Sequence, residues 1–155
     1  MTLFKKILLT NQNICFIIFL YNKKSKCKRY KTIVPNEYSP LVLAYLGDVV
    51  VELAVRERLV RAGNVPPEKL HEKAMLFVTA EKQSEAVERI LPHLTEAEAE
   101  TYKRGRNAKA RVPKSASAAE YRRATGLECL FGHLYLSENK DRINELFEIA
   151  FGGIN

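Results

Sequence analysis

Two carboxylates, Asp48 and Glu128, interrupt otherwise apolar helical stretches and are the first candidates for chemistry. Asp48 lies within the run Leu41–Val55, and Glu128 lies within the run Leu127–Leu136. A carboxylate on a buried helix is costly unless it is paired or binds a cation. Magnesium prefers oxygen ligands and keeps several waters, so two carboxylates can hold it. A shared site would suit metal-assisted phosphodiester hydrolysis, whereas pairing with arginines or backbone donors would make both residues structural.

Glu52 lies on the same helix face as Asp48 but has a simpler explanation. Arg56 follows Glu52 at i+4, which is the order and spacing that favour an ion pair along a helix. We therefore predict a Glu52–Arg56 ion pair. Asp48 has no basic residue one turn away, so its role is not explained in this way.

A basic stretch is the third candidate, with phosphate groups as the expected ligands. It is opposed by Glu120 alone and comprises Lys103, Arg104, Arg106, Lys109, Arg111, Lys114, Arg122 and Arg123, with Asn107 as a further polar candidate. Mobile cations on a loop beside a helix N-terminus suit phosphate contacts, and the alternative is a solvated charged loop. From Lys103 to Lys114 the stretch has no interleaved aromatic residues, so backbone recognition of a duplex fits better than base stacking on a single strand.

The net charge of +7 belongs to the first 33 residues rather than to the remainder of the chain. Residues 1–33 carry eight Lys and Arg and no Asp or Glu, which leaves 17 basic and 18 acidic residues in 34–155. This leader has an apolar run, Ile14–Leu20, that is far shorter than the roughly 20 residues of a membrane span. It is either an incomplete export signal or, as we favour, a basic tail that is poorly ordered or not part of the functional protein. Residues 34–155 form the expected domain, without membrane association.

The elements that must position these residues are predicted to be helices throughout, with no alternating strand pattern and no internal repeat. Ser39 and Pro40 begin a helix that runs to about Ala62. Shorter helices follow, one with Leu70, Ala74 and Phe77 on one face and one capped by Thr79. Thr95 with Glu98, and Ser117 with Glu120, form capping-box patterns on either side of an expected loop at 105–116. The second box begins a helix to about Leu136, and a last helix spans roughly Asp141–Phe151.

The cysteines and histidines argue against several other kinds of site. Cys15, Cys27 and Cys129 have neither zinc-ligand spacing nor the number expected of a disulfide framework, which favours a reducing cytoplasmic location. His71, His93 and His133 have no mutual metal spacing. No nucleotide-binding glycine motif or Ser/His/Asp arrangement stands out.

Several spaced motifs resemble the ribonuclease III family. Residues 43–52 (LAYLGDVVVE) resemble the signature helix of its catalytic domains, and residues 125–136 (TGLECLFGHLYL) resemble its second acidic motif. Residues 103–109 (KRGRNAK), residues 70–74 (LHEKA) and Tyr121-Arg122 resemble the Mini-ribonuclease III branch, the short bacterial branch that lacks the double-stranded-RNA-binding domain. The resemblance covers about Ser39 to Ala150.

The resemblance implies an all-α catalytic domain that forms a homodimer with a valley for duplex RNA. It implies Mg²⁺, with Mn²⁺ as a substitute, held by Asp48 and Glu128 as catalytic acids. The RNA-binding residues would be Arg104, Arg106, Asn107, Lys109, Arg111, Lys114 and Arg122. The products would carry 5′-phosphate and 3′-hydroxyl ends, and the substrate would be precursor large-subunit (23S) ribosomal RNA in the cytoplasm.

Two acids of the longer family members are missing from this chain, which leaves alternatives open. Ala44 and Thr125 occupy positions where those members carry carboxylates, and this puts a full two-metal mechanism in doubt. One alternative is a non-catalytic protein that binds structured RNA through a ribonuclease III-like fold. Another is a helical dimerising scaffold with no RNA role.

Overall fold

The structure, a computed structural model, describes residues 34–109, 117–152 and 154, so the predicted leader lies outside the described residues. The described part is helical and contains no strand, which confirms the all-α prediction. None of its helices combines the length and apolarity needed to cross a bilayer. The helices are α1 Pro40–Ala62, α2 Pro67–Val78, α3 Ala80–Ile90, α4 Glu96–Arg106, α5 Ala118–Leu136 and α6 Lys140–Phe151, with 3₁₀ turns at Pro35–Glu37 and Leu91–His93.

Local capping residues define where the helices begin, as the sequence predicted. The Ser39 and Thr79 side chains accept hydrogen bonds from the first turns of α1 and α3. Both capping boxes form; at α4 the Thr95 amide donates to Glu98 Oε2 at 2.8 Å. Each box satisfies amides that have no partner within their own helix. One boundary differs from the prediction, because α4 continues to Arg106 and the expected loop begins after it.

Helix α5 is the centre of the fold and packs against α1, α3 and α4. Its apolar side chains Leu127, Leu130 and Phe131 are fully buried. Most of the core is one cluster around them, to which the other helices contribute Val51, Val55, Leu59, Ala74, Ala86, Val87, Ile90, Tyr102, Leu146, Phe147 and Phe151. The helix that carries Glu128 is therefore held on several sides.

Polar contacts fasten α6 to the rest of the domain. The Arg58 guanidinium of α1 lies 3.9 Å from the centre of the Phe147 ring and pairs with Glu148 at 2.7 Å. Arg142 of α6 pairs with Glu98 of α4 at 2.9 Å. Because the Arg142–Glu98 pair is mostly buried, we expect it to contribute more than an exposed surface pair does.

The crossing of α1 and α5 is a direct backbone contact. A β-carbon on Gly47 would overlap the carbonyl oxygen of Glu128, and one on Gly132 would overlap the carbonyl oxygen of Leu43. Only residues without a side chain allow two helices to approach this closely. Asp48 directly follows Gly47, so the same crossing brings Asp48 to the segment of α5 that carries Glu128.

The sequence predicted a buried α1, and within the single chain only one of its faces is buried. One face is buried, but the opposite face exposes an apolar stripe to solvent: Leu41, Val42, Tyr45, Val49, Leu53 and Val60. The other described helices cover α1 from one side only. An apolar sequence without an amphipathic pattern predicts burial of both faces, but it does not identify which part of the structure covers each face.

We predict that Gly132→Ala destabilises the protein by roughly 1–3 kcal/mol, because the added methyl group must push α1 and α5 apart. Chemical denaturation would measure the loss. Gly63→Ala is the matched control: Gly63 has open space around its α-carbon and an extended backbone with φ of 175°. That variant should be as stable as the wild type or slightly more stable. Equal stabilities of the two variants would contradict a tight crossing.

Candidate metal and nucleic-acid site

The structure brings Asp48 and Glu128 close enough for their charges to interact. Burial, and after it the charge of Asp48, raise the pKa of Glu128 to about 7, while hydrogen bonding from Gln83 acts in the opposite direction. Burial and the nearby Glu52 charge likewise raise the pKa of Asp48 above its usual value. The surroundings thus disfavour the ionised forms of both carboxyl groups, and a bound cation would stabilise those forms.

The described residues offer two carboxylates at this place and no larger ligand set. They contain no group of three or more His, Cys, Asp or Glu side chains arranged to hold a metal ion. Ala44 is buried against Leu43 and Cys129. The Thr125 hydroxyl donates to the Tyr121 carbonyl oxygen of its own helix at 2.9 Å. The pair fits a hard cation that retains most of its waters, as Mg²⁺ does.

Glu52 lies near Asp48 but has an ion-pair partner of its own. Arg56 Nη2 lies 2.9 Å from Glu52 Oε2, so the predicted ion pair is confirmed. Asp48 and Glu128 have no ion-pair partner among the described residues, whereas Glu52 and Glu57 of α1 pair with Arg56 and Arg61.

A basic cleft of about 380 Å³ lies where the end of α4 meets the start of α5. It is lined by Gly105, Arg106, Asn107, Ala108, Lys109, Tyr121, Arg122 and Thr125. Arg106, Lys109 and Arg122 have no carboxylate within ion-pair distance in the part of the chain that the structure describes. By contrast, Arg123 beside them pairs with Glu88 at 2.7 Å. The cleft therefore concentrates uncompensated positive charge.

The cleft and the carboxylate pair share one side of α5. Tyr121, Thr125 and Glu128 follow one another at i, i+4 and i+7, the spacing of a single helix face. Two of these residues line the cleft and the third carries the carboxyl group. An extended anion seated in the cleft would thus continue along α5 toward Glu128.

The predicted RNA-binding residues do not all lie together. Arg106, Asn107, Lys109 and Arg122 line the basic cleft. Arg104 points elsewhere: it donates to the Tyr38 carbonyl oxygen at 3.3 Å and lines a second cleft with Asn36 and His133. Arg111 and Lys114 lie outside the described residues.

The sequence analysis missed Gln83, a buried amide of α3 that neighbours Glu128. A signal was present, because Gln83 precedes Ala86, Val87 and Ile90 at i−3, i−4 and i−7 and therefore shares their inward face. A polar residue in that position marks a buried group that needs a partner.

The raised pKa of Glu128 predicts a destabilising carboxyl group in the metal-free protein. Its pKa is 4.5 in the unfolded chain and about 7 when folded. The folded state thus binds more protons between these values, and stability falls as pH rises from 4.5 to 7. In the presence of a chelator, Glu128→Gln should be more stable than the wild type at pH 8, by on the order of 3 kcal/mol, and little different at pH 5.

Chemical denaturation at the two pH values would measure this difference. The control is Glu72→Gln, which changes an exposed glutamate of α2. A gain for Glu128→Gln of the same size at both pH values would show that ionisation is not its cause.

Comparisons with known proteins found a matching family and several relatives. The model of the ribonuclease III domain matches residues 41–139. The Mini-ribonuclease 3 of Symbiobacterium thermophilum is 44% identical over 117 residues, which are 75% of this chain and 90% of that protein. The Mini-ribonuclease 3 of Brevibacillus brevis is 43% identical over 118 residues, 76% of this chain and 88% of that protein.

A crystal structure of a Fusobacterium nucleatum protein is also similar. It superposes with a TM-score of 0.68 at 33% identity, over 75% of this chain and 93% of that one. The matched domain includes Asp48, Glu128 and the basic cleft. This chain therefore belongs to the ribonuclease III family, in the branch of the Mini-ribonuclease 3 proteins.

Proposed function

We propose that this chain, an endoribonuclease of the ribonuclease III type, uses Mg²⁺ to hydrolyse double-stranded RNA. The observation that carries the proposal is the meeting of two unpaired carboxylates, Asp48 and Glu128, on the side of α5 that also borders a cleft of unpaired cations. The substrate we propose is the duplex at the ends of precursor 23S ribosomal RNA, in the cytoplasm. The products would carry 5′-phosphate and 3′-hydroxyl ends.

Each part of the site would contribute a separate step. Arg106, Lys109 and Arg122 would bind backbone phosphates and set the duplex along α5. Asp48 and Glu128 would hold the ion, with Mn²⁺ as a substitute. A bound Mg²⁺ supplies an activated water and stabilises charge on the leaving oxygen. Glu128 must release its proton to act as a ligand, because ligating carboxylates are ionised.

A single binding position for the ion agrees with the rest of the site. Ala44 and Thr125, where longer family members carry acids, are buried and either apolar or hydrogen-bonded within their own helix. Among the described residues, the site therefore offers no side chains for a second all-protein metal position. The positioning of the phosphate depends more on the basic cleft as a result.

We predict that Asp48→Asn removes cleavage of duplex RNA and leaves folding and RNA binding intact. The change keeps the shape of the side chain but removes one of two charged ligands, and we expect at least a 100-fold loss, since even partners outside the first ligand layer are worth about 10–100-fold. Cleavage would be followed on a gel with and without Mg²⁺, and binding in Ca²⁺ or chelator.

Two arginine variants test whether the basic cleft binds the RNA. Arg122→Ala should weaken duplex binding and lower the slope of log affinity against log salt by about 1. Arg61→Ala removes an arginine that already pairs with Glu57 at 2.6 Å and should change neither quantity.

Duplex binding by the wild type without Mg²⁺-dependent products would instead identify a non-catalytic RNA-binding protein. Full activity of Asp48→Asn would refute the metal assignment.

We also propose that the apolar stripe of α1 is covered by a second copy of this chain. Tyr45, Val49 and Leu53 succeed one another along the exposed face, and an exposed apolar row of this length marks an interface. Two identical stripes pair through a two-fold axis, in which each copy uses the same surface. Asp48 is three residues after Tyr45, so the carboxylate pair would lie at the edge of the interface.

We predict that Leu53→Lys converts the homodimer to a monomer, because a charge would be buried at the centre of the stripe. Sedimentation velocity at fixed concentration would measure the change. Leu76→Lys on α2 is the control, since Leu76 is 63% exposed and Leu53 is 61% exposed. It should leave the dimer intact. A monomeric wild type, or equal behaviour of the two variants, would overturn the assignment of the stripe.

A further inference from the structure

Gln83 is a buried polar side chain whose hydrogen bonds are incomplete. It is 1% exposed and lies on the inward face of α3. Its Nε2 donates to the Val78 carbonyl oxygen at 3.4 Å, a long hydrogen bond. Its Oε1 is the one buried side-chain nitrogen or oxygen without a hydrogen-bond partner among the residues that the structure describes. Such an acceptor is costly to bury, so its presence requires an explanation.

The amide that carries the unpartnered oxygen neighbours the carboxyl group of Glu128. Hydrogen bonding from Gln83 lowers the pKa of that carboxyl, and only Nε2 of the amide can donate in this way. The Val78 carbonyl accepts hydrogen bonds and cannot donate, which identifies the atom facing it as the donor Nε2 and leaves Oε1 as the acceptor of the amide. Since both atoms are bonded to the same carbon, the unused acceptor belongs to the neighbourhood of the carboxylate pair.

A hydrated divalent cation has the chemistry that this neighbourhood lacks. Its charge would offset the repulsion between Asp48 and Glu128, and its bound waters would donate hydrogen bonds to nearby oxygens. A neutral amide accepts from such a water without adding a third negative charge. Residues beyond the direct ligands usually fix the orientation of ligating carboxylates in this way.

We infer that Gln83 is a positioning residue of the proposed metal site, which orients the Glu128 carboxylate through Nε2 and accepts a hydrogen bond from a metal-bound water through Oε1. The inference rests on the proposed function, because it presumes a cation between Asp48 and Glu128. It gives α3 a part in the site, in addition to α1 and α5. It also offers a replacement for the acids that are absent at positions 44 and 125.

The test compares metal affinity with stability, since a residue that only packs α3 against α5 would affect stability alone. Gln83→Met keeps a similar volume and removes both polar atoms. We expect its Mn²⁺ affinity to fall about 10–100-fold. We expect the stability of its metal-free form to be unchanged or higher, because an unpaired buried acceptor is gone. Mn²⁺ binding would be titrated by electron paramagnetic resonance on the full chain without RNA.

Two reference variants separate the possible failures. Thr101→Val replaces a buried hydroxyl on α4 that donates to Ala97 within its own helix, and its Mn²⁺ affinity should match the wild type. Asp48→Asn should lose Mn²⁺ binding if the proposed function is right. If Asp48→Asn loses Mn²⁺ but Gln83→Met binds like the wild type, the role of Gln83 is refuted and the proposed function stands. If the wild type does not bind Mn²⁺, or if Asp48→Asn binds it as tightly as the wild type, the proposed function and the role of Gln83 are both overturned.

Discussion

The contact between the backbones of α1 and α5 is the constraint on which the rest of the structure depends. Gly47 and Gly132 each face a carbonyl oxygen of the other helix, with no space for a β-carbon. This contact fixes the position of Asp48 relative to Glu128 more tightly than side-chain packing would, because backbone atoms have no rotamers. The core around α5 and the fastening of α6 through Arg58 and Arg142 hold that crossing in place.

The same crossing creates an electrostatic cost that the fold tolerates. Burial and mutual repulsion raise the pKa of Glu128, so the carboxyl group opposes folding at neutral pH unless a proton or a cation is bound. Gln83, a neighbour of Glu128, adds a buried acceptor without a hydrogen-bond partner. Unfavourable groups that meet at one point, in a domain whose other acids are mostly paired or exposed, are typical of a functional site.

The distribution of the arginines complements this arrangement. Along α1 they form ion pairs with glutamates, as at Arg56 and Arg61, and Arg123 pairs with Glu88. Near the end of α4 and the start of α5, Arg106 and Arg122 have no such partner in the described part of the chain and face one cleft. Residues 34–155 carry 17 basic and 18 acidic residues and are close to neutral. The local excess of positive charge at the cleft, and not the net charge, is therefore what would attract a polyanion.

The sequence by itself determined the local features: the helix starts at Ser39, Thr95 and Ser117, the Glu52–Arg56 ion pair and the family. These depend on residues within one turn of each other or on motifs read directly. Only the tertiary structure decided which face of α1 is covered, that Arg104 leaves the basic cleft, and that Gln83 reaches Glu128. Those facts depend on segments tens of residues apart, and helical periodicity specifies that a face is inward without specifying which helix it meets.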